Sequence, residues 1–145
     1  KFFSIVSFDS FNISAISSVV CKTSKGSPKP KRNLRTSLSN DGKDSITEFK
    51  IIEKSKFFTK LSCNLITGRT HQIRVHTSSN NFPIVGDLKY GNREKDKKFL
   101  ENDFKRMFLH SSHLEIKDLN LKVSCREPKE FKKIIKISES KSFLT

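Results

Sequence analysis

The chain has 145 residues, with 29 lysines and arginines against 15 acidic residues and a net charge of +14. That length allows one domain or part of one, and the charge favours a polyanionic partner such as RNA, DNA or an anionic membrane surface, although a lysine-biased sequence also raises charge with no partner at all. Cys21, Cys63 and Cys125 are odd in number, far apart and free of any Cys-x-x-Cys pair, which disfavours a disulfide framework or a zinc knuckle and fits the reduced thiols of a cytoplasmic protein.

Lys1–Val20 is rich in Phe, Ser, Ile and Val and is expected to hold one or two strands. Asp9 and a series of serines interrupt it and no A-x-A-type cleavage site is present, so neither a signal peptide nor a membrane helix is expected. The chain opens on Lys1 and its one methionine is Met107, as expected of the downstream part of something longer. Lys22–Asn33 contains Pro28 and Pro30, which forbid a regular helix; it reads as a loop, suited to phosphate contact or simply solvated.

From Ser45 the pattern sharpens. Ser45–Ile52 reads as a strand. Lys56–Ile66 alternates, with Phe57, Thr59, Leu61, Cys63 and Leu65 on one face and Lys60, Ser62 and Asn64 on the other. Glu53–Ser55 is short enough to join the two as a hairpin. Thr67–Gly68 turns the chain into a short helix over Thr70–Ser79, with Thr70 as N-cap and Ile73 facing inward. Asn80–Gly91 is a loop. Asn92–Arg106 carries Phe99, Leu100 and Phe104 at helical spacing and predicts an exposed amphipathic helix. Arg106–Ile116 and Leu119–Cys125 predict strands around a Lys117–Asp118 turn, with Leu119, Leu121 and Val123 alternating. Pro128 suits a first helical position, and Phe131, Ile134 and Ile135 form the buried stripe of a closing helix. This order predicts an α+β domain with antiparallel pairing and flanking helices.

The scarce residue types gather in Thr67–Gly91, TGRTHQIRVHTSSNNFPIVGDLKYG. It holds three of the 5 glycines (Gly68, Gly86, Gly91), the one tyrosine (Tyr90), two of the 4 histidines (His71, His76), and both Arg69 and Arg74. Arginine offers a planar five-donor fork that lysine does not imitate. Arg69, Gln72 and Arg74 are good donors to a phosphate or a buried carboxylate. The same arginines could instead cap acidic groups, with the histidines on the surface. A metal site is not expected. His71 and His76 are five apart, His110 and His113 would face opposite sides of a strand, and no acidic residue occupies a zincin-like position.

TGRTHQIRVH followed by PIVGDLKYG resembles the C-terminal signature of the RluA-type pseudouridine synthases, and the continuation YGNREKDKKFLENDFKRMFLHSSHLEI is most similar to the RluC branch. The resemblance runs from about Ser45 to about Ile135. It implies a bent, mainly antiparallel mixed sheet, isomerisation of uridine to pseudouridine in large-subunit ribosomal RNA, and no metal or other cofactor. It divides the chain into a poorly matched segment 1–44 with the Lys/Pro-rich loop, the C-terminal part of a catalytic domain over 45–137, and a tail over 138–145. It implies that Arg74 pairs with the catalytic aspartate and that Ile73 lines the uracil pocket. Arg69 supports the site or touches RNA, and His71 and Gln72 contact substrate or serve as structural hydrogen-bonding groups. Asp87 and His110 are expected to be structural, and the chain monomeric and free of membrane contact.

The departures matter as much. The family's aspartate sits in an upstream Arg-Leu-Asp-x-x-Thr-Ser-Gly motif, and no such motif occurs here; Asp9, in FDSFN, does not fit it. The family's base-stacking tyrosine, also upstream, has no counterpart. Asn81-Phe82-Pro83 replaces the usual Gly-His-Pro, and Asn81 can still adopt positive φ. The isolated chain is therefore expected to be inactive, as a fragment of the enzyme or, alternatively, as a non-catalytic RNA-binding remnant.

Overall fold

The computed structural model describes residues 2–7, 18–25, 36–38, 43–55, 57–100 and 104–139. Asp9, most of the Lys/Pro-rich loop and the tail from residue 140 lie outside them. Among the described residues six strands form one antiparallel sheet: β1 (Phe2–Ser7), β2 (Ser18–Lys25), β3 (Thr36–Leu38), β4 (Lys43–Lys54), β5 (Phe58–Leu65) and β6 (Leu109–Ser111), in the order β3-β2-β4-β5-β1-β6. A separate hairpin pairs β7 (His113–Ile116) with β8 (Leu121–Ser124). Among the described residues three helices complete the α+β fold: α1 (Gln72–Ser79), α2 (Arg93–Leu100) and α3 (Lys129–Glu139). The boundary expected at residue 44 falls inside the sheet, because β2 pairs with β4 from Ser18↔Glu48 to Thr23↔Lys43.

β4 and β5 form the expected hairpin, with a register shift between Ile51 and Glu53. In the middle of β4 alternate residues, Ser45, Thr47 and Phe49, are buried. Two of these are small and polar because a polar side of α1 lies on them. Ser45 Oγ and His76 Nε2 are 2.8 Å apart, and Gln72 Nε2 donates to Thr47 Oγ1 at 2.9 Å. Below them the core is aromatic. Phe49 meets Phe82 edge-on at 6.0 Å, and Phe104, Phe108 and Phe131 form a chain with centroids 5.5 and 5.3 Å apart. Phenylalanine supplies large apolar area per residue, which suits a chain poor in other apolar types.

Several expectations are corrected. Lys60, placed on the outward face of β5, is buried, because α3 and the segment leading into it cover that end of the strand. Its ammonium meets the Glu127 carboxylate at 2.6–2.7 Å. Phe104 is not on α2 but in the segment after it, buried in the core. The strand expected over Arg106–Ile116 breaks at Ser112, so that β6 joins the large sheet and β7 the hairpin. The Lys117–Asp118 turn is a 3₁₀ turn, Lys117–Leu119, closed by Asn120 at φ 47. Leu119 belongs to that turn, so the strand expected from Leu119 begins at Leu121, and Leu119, Leu121 and Val123 are all exposed. Alternation reports the pleat of a strand, not whether its apolar face finds a neighbour. The closing helix buries Phe131, Ile134 and Ile135, as the stripe predicts.

Candidate functional site

The turn before α1 is organised by one buried amide. Gln72 Oε1 accepts from Thr67 Oγ1 at 2.8 Å and from the Arg69 amide at 3.0 Å. Its Nε2 donates to Ile46 O and to Thr47 Oγ1, both at 2.9 Å. Two acceptor and two donor positions are thus filled. Gln72 clips the strand end, the TGR turn and the helix together, and no amide position is left to offer a nucleotide. The N-cap is not Thr70. His71 holds that position in the left-handed region at φ 55 and makes no side-chain cap bond. The Gln72 side chain, reaching back to the Arg69 amide, imposes the conformation. Left-handed backbone is unusual outside glycine, so the surrounding bonds must over-determine it.

Arg74 points from α1 to the loop that follows. Its Nε donates to Asp87 Oδ2 at 2.8 Å and its Nη2 to Asp87 Oδ1 at 2.7 Å, a bidentate pair. The amides of Lys89 and Tyr90 also donate to Oδ1, at 3.0 and 3.1 Å. Burial alone would push the Asp87 carboxyl up. The Arg74 bonds and the two amides outweigh it and hold the carboxyl below its ordinary range. The same bonds raise the Arg74 guanidinium. Asp87 is fully covered, while the Arg74 side chain keeps 17% of its surface open. Tyr90 completes the group. Its ring lies 4.9 Å from the Arg74 guanidinium carbon, and its hydroxyl is 3.1 Å from His71 Nδ1. Burial, then the charges of Arg74 and Lys89, lower the His71 imidazole, so it is neutral at pH 7.

The loop is held from beneath. Gly86, at φ 75, passes so close to Arg106 that a Cβ would meet its carbonyl oxygen. Its amide donates at 2.9 Å to buried Asp96 of α2. Asn81 takes φ 63, so the turn survives the exchange of glycine for asparagine.

The structure therefore brings Arg74, His71, Asp87 and Tyr90 together and leaves Arg69 at their margin. Arg69 is exposed, with Nε donating to Asp44 O at 3.2 Å. Ile73 is in the core, 5% exposed. His110 stacks edge-on to Phe131 at 6.2 Å, a packing contact. Sequence reading missed that Asp87 is the partner of Arg74 within this chain. The available signal was a lone aspartate in the same loop as the lone tyrosine. Among the described residues, no group of three or more His, Cys, Asp or Glu could hold a metal ion. No described helix is long and apolar enough to cross a membrane.

Residues 8–79 match the family described as RNA pseudouridylate synthase. Ribosomal large subunit pseudouridine synthase C of Salmonella typhi is 37% identical over 111 residues, which are 72% of this chain and 35% of that protein. The Escherichia coli K12 protein of the same name is 45% identical over 80 residues, 54% of this chain and 25% of that protein. Human RNA Pseudouridylate Synthase Domain Containing 1 superposes with a TM-score of 0.67 at 25% identity, over 90% of this chain and 54% of that one. The chain thus spans about a third or less of these bacterial relatives and about half of the human structure. The signature TGRTHQIRVH, the antiparallel sheet behind it and these likenesses agree: the chain belongs to the RluA-type, RluC-like family of RNA pseudouridine synthases.

Proposed function

We propose that this chain supplies the arginine-bearing wall of a pseudouridine synthase that acts on uridine in large-subunit ribosomal RNA in the cytoplasm. The reaction is an isomerisation. The N-glycosidic bond to uracil breaks, the base turns, and a carbon–carbon bond forms to the same sugar. Nothing is oxidised, reduced or lost, and the resemblance implies no cofactor. The target base must leave its stack first, at a cost of about a few kcal/mol that pocket contacts offset.

One observation supports this reading above the others. Asp87 engages Arg74 through Nε and Nη2. A guanidinium has a second edge, Nη1 with the remaining Nη2 proton. An arginine already fixed on one side can present that edge to a second carboxylate, keeping it ionised and aimed. The family's aspartate, absent from this sequence, is the proposed second carboxylate. Asp87 then acts as a positioning residue for Arg74. Arg69, exposed beside the turn, contacts an RNA phosphate in this reading. His71 and Tyr90 flank the guanidinium and limit its motion. Ile73 backs the site from the core.

The test uses uridine-containing large-subunit ribosomal RNA. The isolated 145 residues are expected to form no pseudouridine; turnover by them alone would overturn the missing-aspartate argument. Joined to an upstream segment carrying the Arg-Leu-Asp motif, the chain is expected to turn over. There Arg74→Lys should abolish turnover while RNA affinity is kept, and unchanged turnover sinks the pairing role. A joined protein that binds RNA and never forms pseudouridine supports the remnant reading instead.

A further inference from the structure

The closing helix carries a charge pattern that the Arg74 site does not use. Lys129, Lys132, Lys133 and Lys136 are all exposed. At 3.6 residues per turn these four lie within an arc of roughly 100°. Phe131, Ile134, Ile135 and Ser138 are buried and are centred on the opposite side of α3. Glu130 and Glu139 fall on the flanks, so no acid interrupts the stripe. None of the four lysines makes an ion pair with a described acidic residue, whereas Glu127, just before the helix, is occupied by Lys60.

The segment before β6 adds to the patch. The Arg106 guanidinium lies 5.8 Å from the Phe131 ring, and the Lys133 ammonium 5.6 Å from the Phe104 ring. These contacts bring exposed Arg106 alongside α3. The four lysines share one face of α3, with Arg106 beside the helix, and none belongs to the Arg74–Asp87–Tyr90 group. Along the helix the stripe runs about 10 Å.

We infer that the lysine face of α3, with Arg106 beside it, is a second RNA-binding surface that grips the sugar-phosphate backbone away from the reacting base. The choice of RNA among polyanions rests on the family reading above. An anionic membrane fits less well. Membrane-surface helices offer an apolar face to the lipid, and the apolar face of α3 is spent on Phe104, Phe108 and the rest of the core. The surface reads no base edge, so its binding is sequence-tolerant and steeply salt-dependent.

The test is fluorescence anisotropy of the full 145-residue chain with a labelled single-stranded RNA across a salt series. The variant is K132Q/K133Q/K136Q. A charge-matched control is K43Q/K97Q/K117Q, three exposed lysines scattered over β4, α2 and the hairpin. The helix variant should flatten the slope of log K against log salt by about 2, at about 0.7 per lost contact. Its affinity should fall at least about tenfold at 0.1 M salt, while the control changes far less and K132R/K133R/K136R keeps wild-type binding. Circular dichroism checks that each variant keeps its helix. Equal losses in variant and control, or an unchanged slope in the helix variant, overturn the proposal while leaving the family reading and its Arg74 test untouched. Binding of the wild-type chain to phosphatidylserine vesicles but not to RNA overturns it in favour of a membrane.

Discussion

Arg74 and Lys133 each carry one positive charge, and they are held in opposite ways. Arg74 is gripped on one edge by a covered carboxylate, faced by an aromatic ring and rooted in a helix whose start is fixed by Gln72. Lys133 stands on the solvent side of α3, with a ring beside it and no ion-pair partner among the described residues. The first arrangement fixes a charge in direction, which chemistry at one atom needs. The second offers charge without direction, which suits a backbone that must be held at many registers. The residue types follow. Arginine stands where two bonds must form at once, and lysine where a point charge suffices.

The comparison is broken most sharply at Asp87. Asp87→Ala removes the carboxylate and strands the Arg74 fork together with the Lys89 and Tyr90 amides. Breaking a buried pair by deleting one partner costs several kcal/mol; with Arg74 partly open to solvent, a loss of about 3 kcal/mol is expected by urea unfolding. Asp87→Asn keeps the amide bonds and should lose less. A change within experimental error for Asp87→Ala would show that Arg74 needs no anchor. The carboxyl is held below its ordinary range, so this stabilisation is present above the unfolded value and is lost only as pH falls through the lower folded one.

Next comes the clip that sets the helix start. Gln72→Ala leaves the Arg69 amide, the Thr67 hydroxyl, Ile46 O and Thr47 Oγ1 without their shared partner. Unsatisfied buried groups cost about 1–3 kcal/mol each when water cannot reach them. The turn is half-open, so a total of about 2–3 kcal/mol is expected. Amide exchange at Arg69 should quicken in parallel, and unchanged protection there would remove Gln72 from the account.

Much of this was legible in the sequence, and the reasons differ by element. β4, α1 and α3 announce themselves because each buries one face against the core, so period and partner coincide, whereas β5 is buried on both faces over Phe58–Leu61. The β7–β8 hairpin shows the limit. Its alternation holds for Leu121 and Val123 of β8, while Leu119 falls in the 3₁₀ turn and the exposure of all three does not follow from periodicity. Lys60 is the converse, a charge on an apparently outward face that is buried because Glu127, 67 residues later, comes to meet it. For the candidate site, the scarcity of Arg, Gly and Tyr picks out the segment in which Arg74, His71, Asp87 and Tyr90 come together. The Arg74–Asp87 bond was missed because its geometry depends on a loop whose path is set by Gly86, Asn81 and the buried Asp96. No local pattern encodes that path.

A smaller effect separates the two regions by pH. His76 is buried beneath Ser45, and burial lowers its pKa to about 4. Its Nδ1 has no partner, so the proton belongs on Nε2, donating to Ser45 Oγ. The folded chain binds this proton less readily than the unfolded one. The stabilisation is therefore complete above about pH 6.5 and is lost as pH falls toward 4. By pH 5 the loss should be about 2 kcal/mol. Buried Asp96, whose carboxyl burial pushes up, acts in the opposite sense at the acid end of that window. His76→Gln should flatten the profile between pH 6.5 and 5, and an unchanged profile would mean that another group carries it.

The smallest effect on stability is expected on α3, and there smallness is the informative result. Lys133 lies over the Phe104 ring but is otherwise solvated, and like charges crowd the same arc of the helix. Losing the ring contact is offset by relief of that repulsion, so Lys133→Gln should leave the urea midpoint unmoved. The repulsion is screened by salt. Wild-type stability should therefore rise from low to moderate salt, and K132Q/K133Q/K136Q should rise less. A stripe kept for folding would show the reverse, a triple variant destabilised at every salt concentration. A stripe that costs the folded chain something at low salt while it grips a polyanion is the signature of charge placed for a partner, and the pair of salt series, one on stability and one on RNA binding, distinguishes that case from a merely lysine-rich surface.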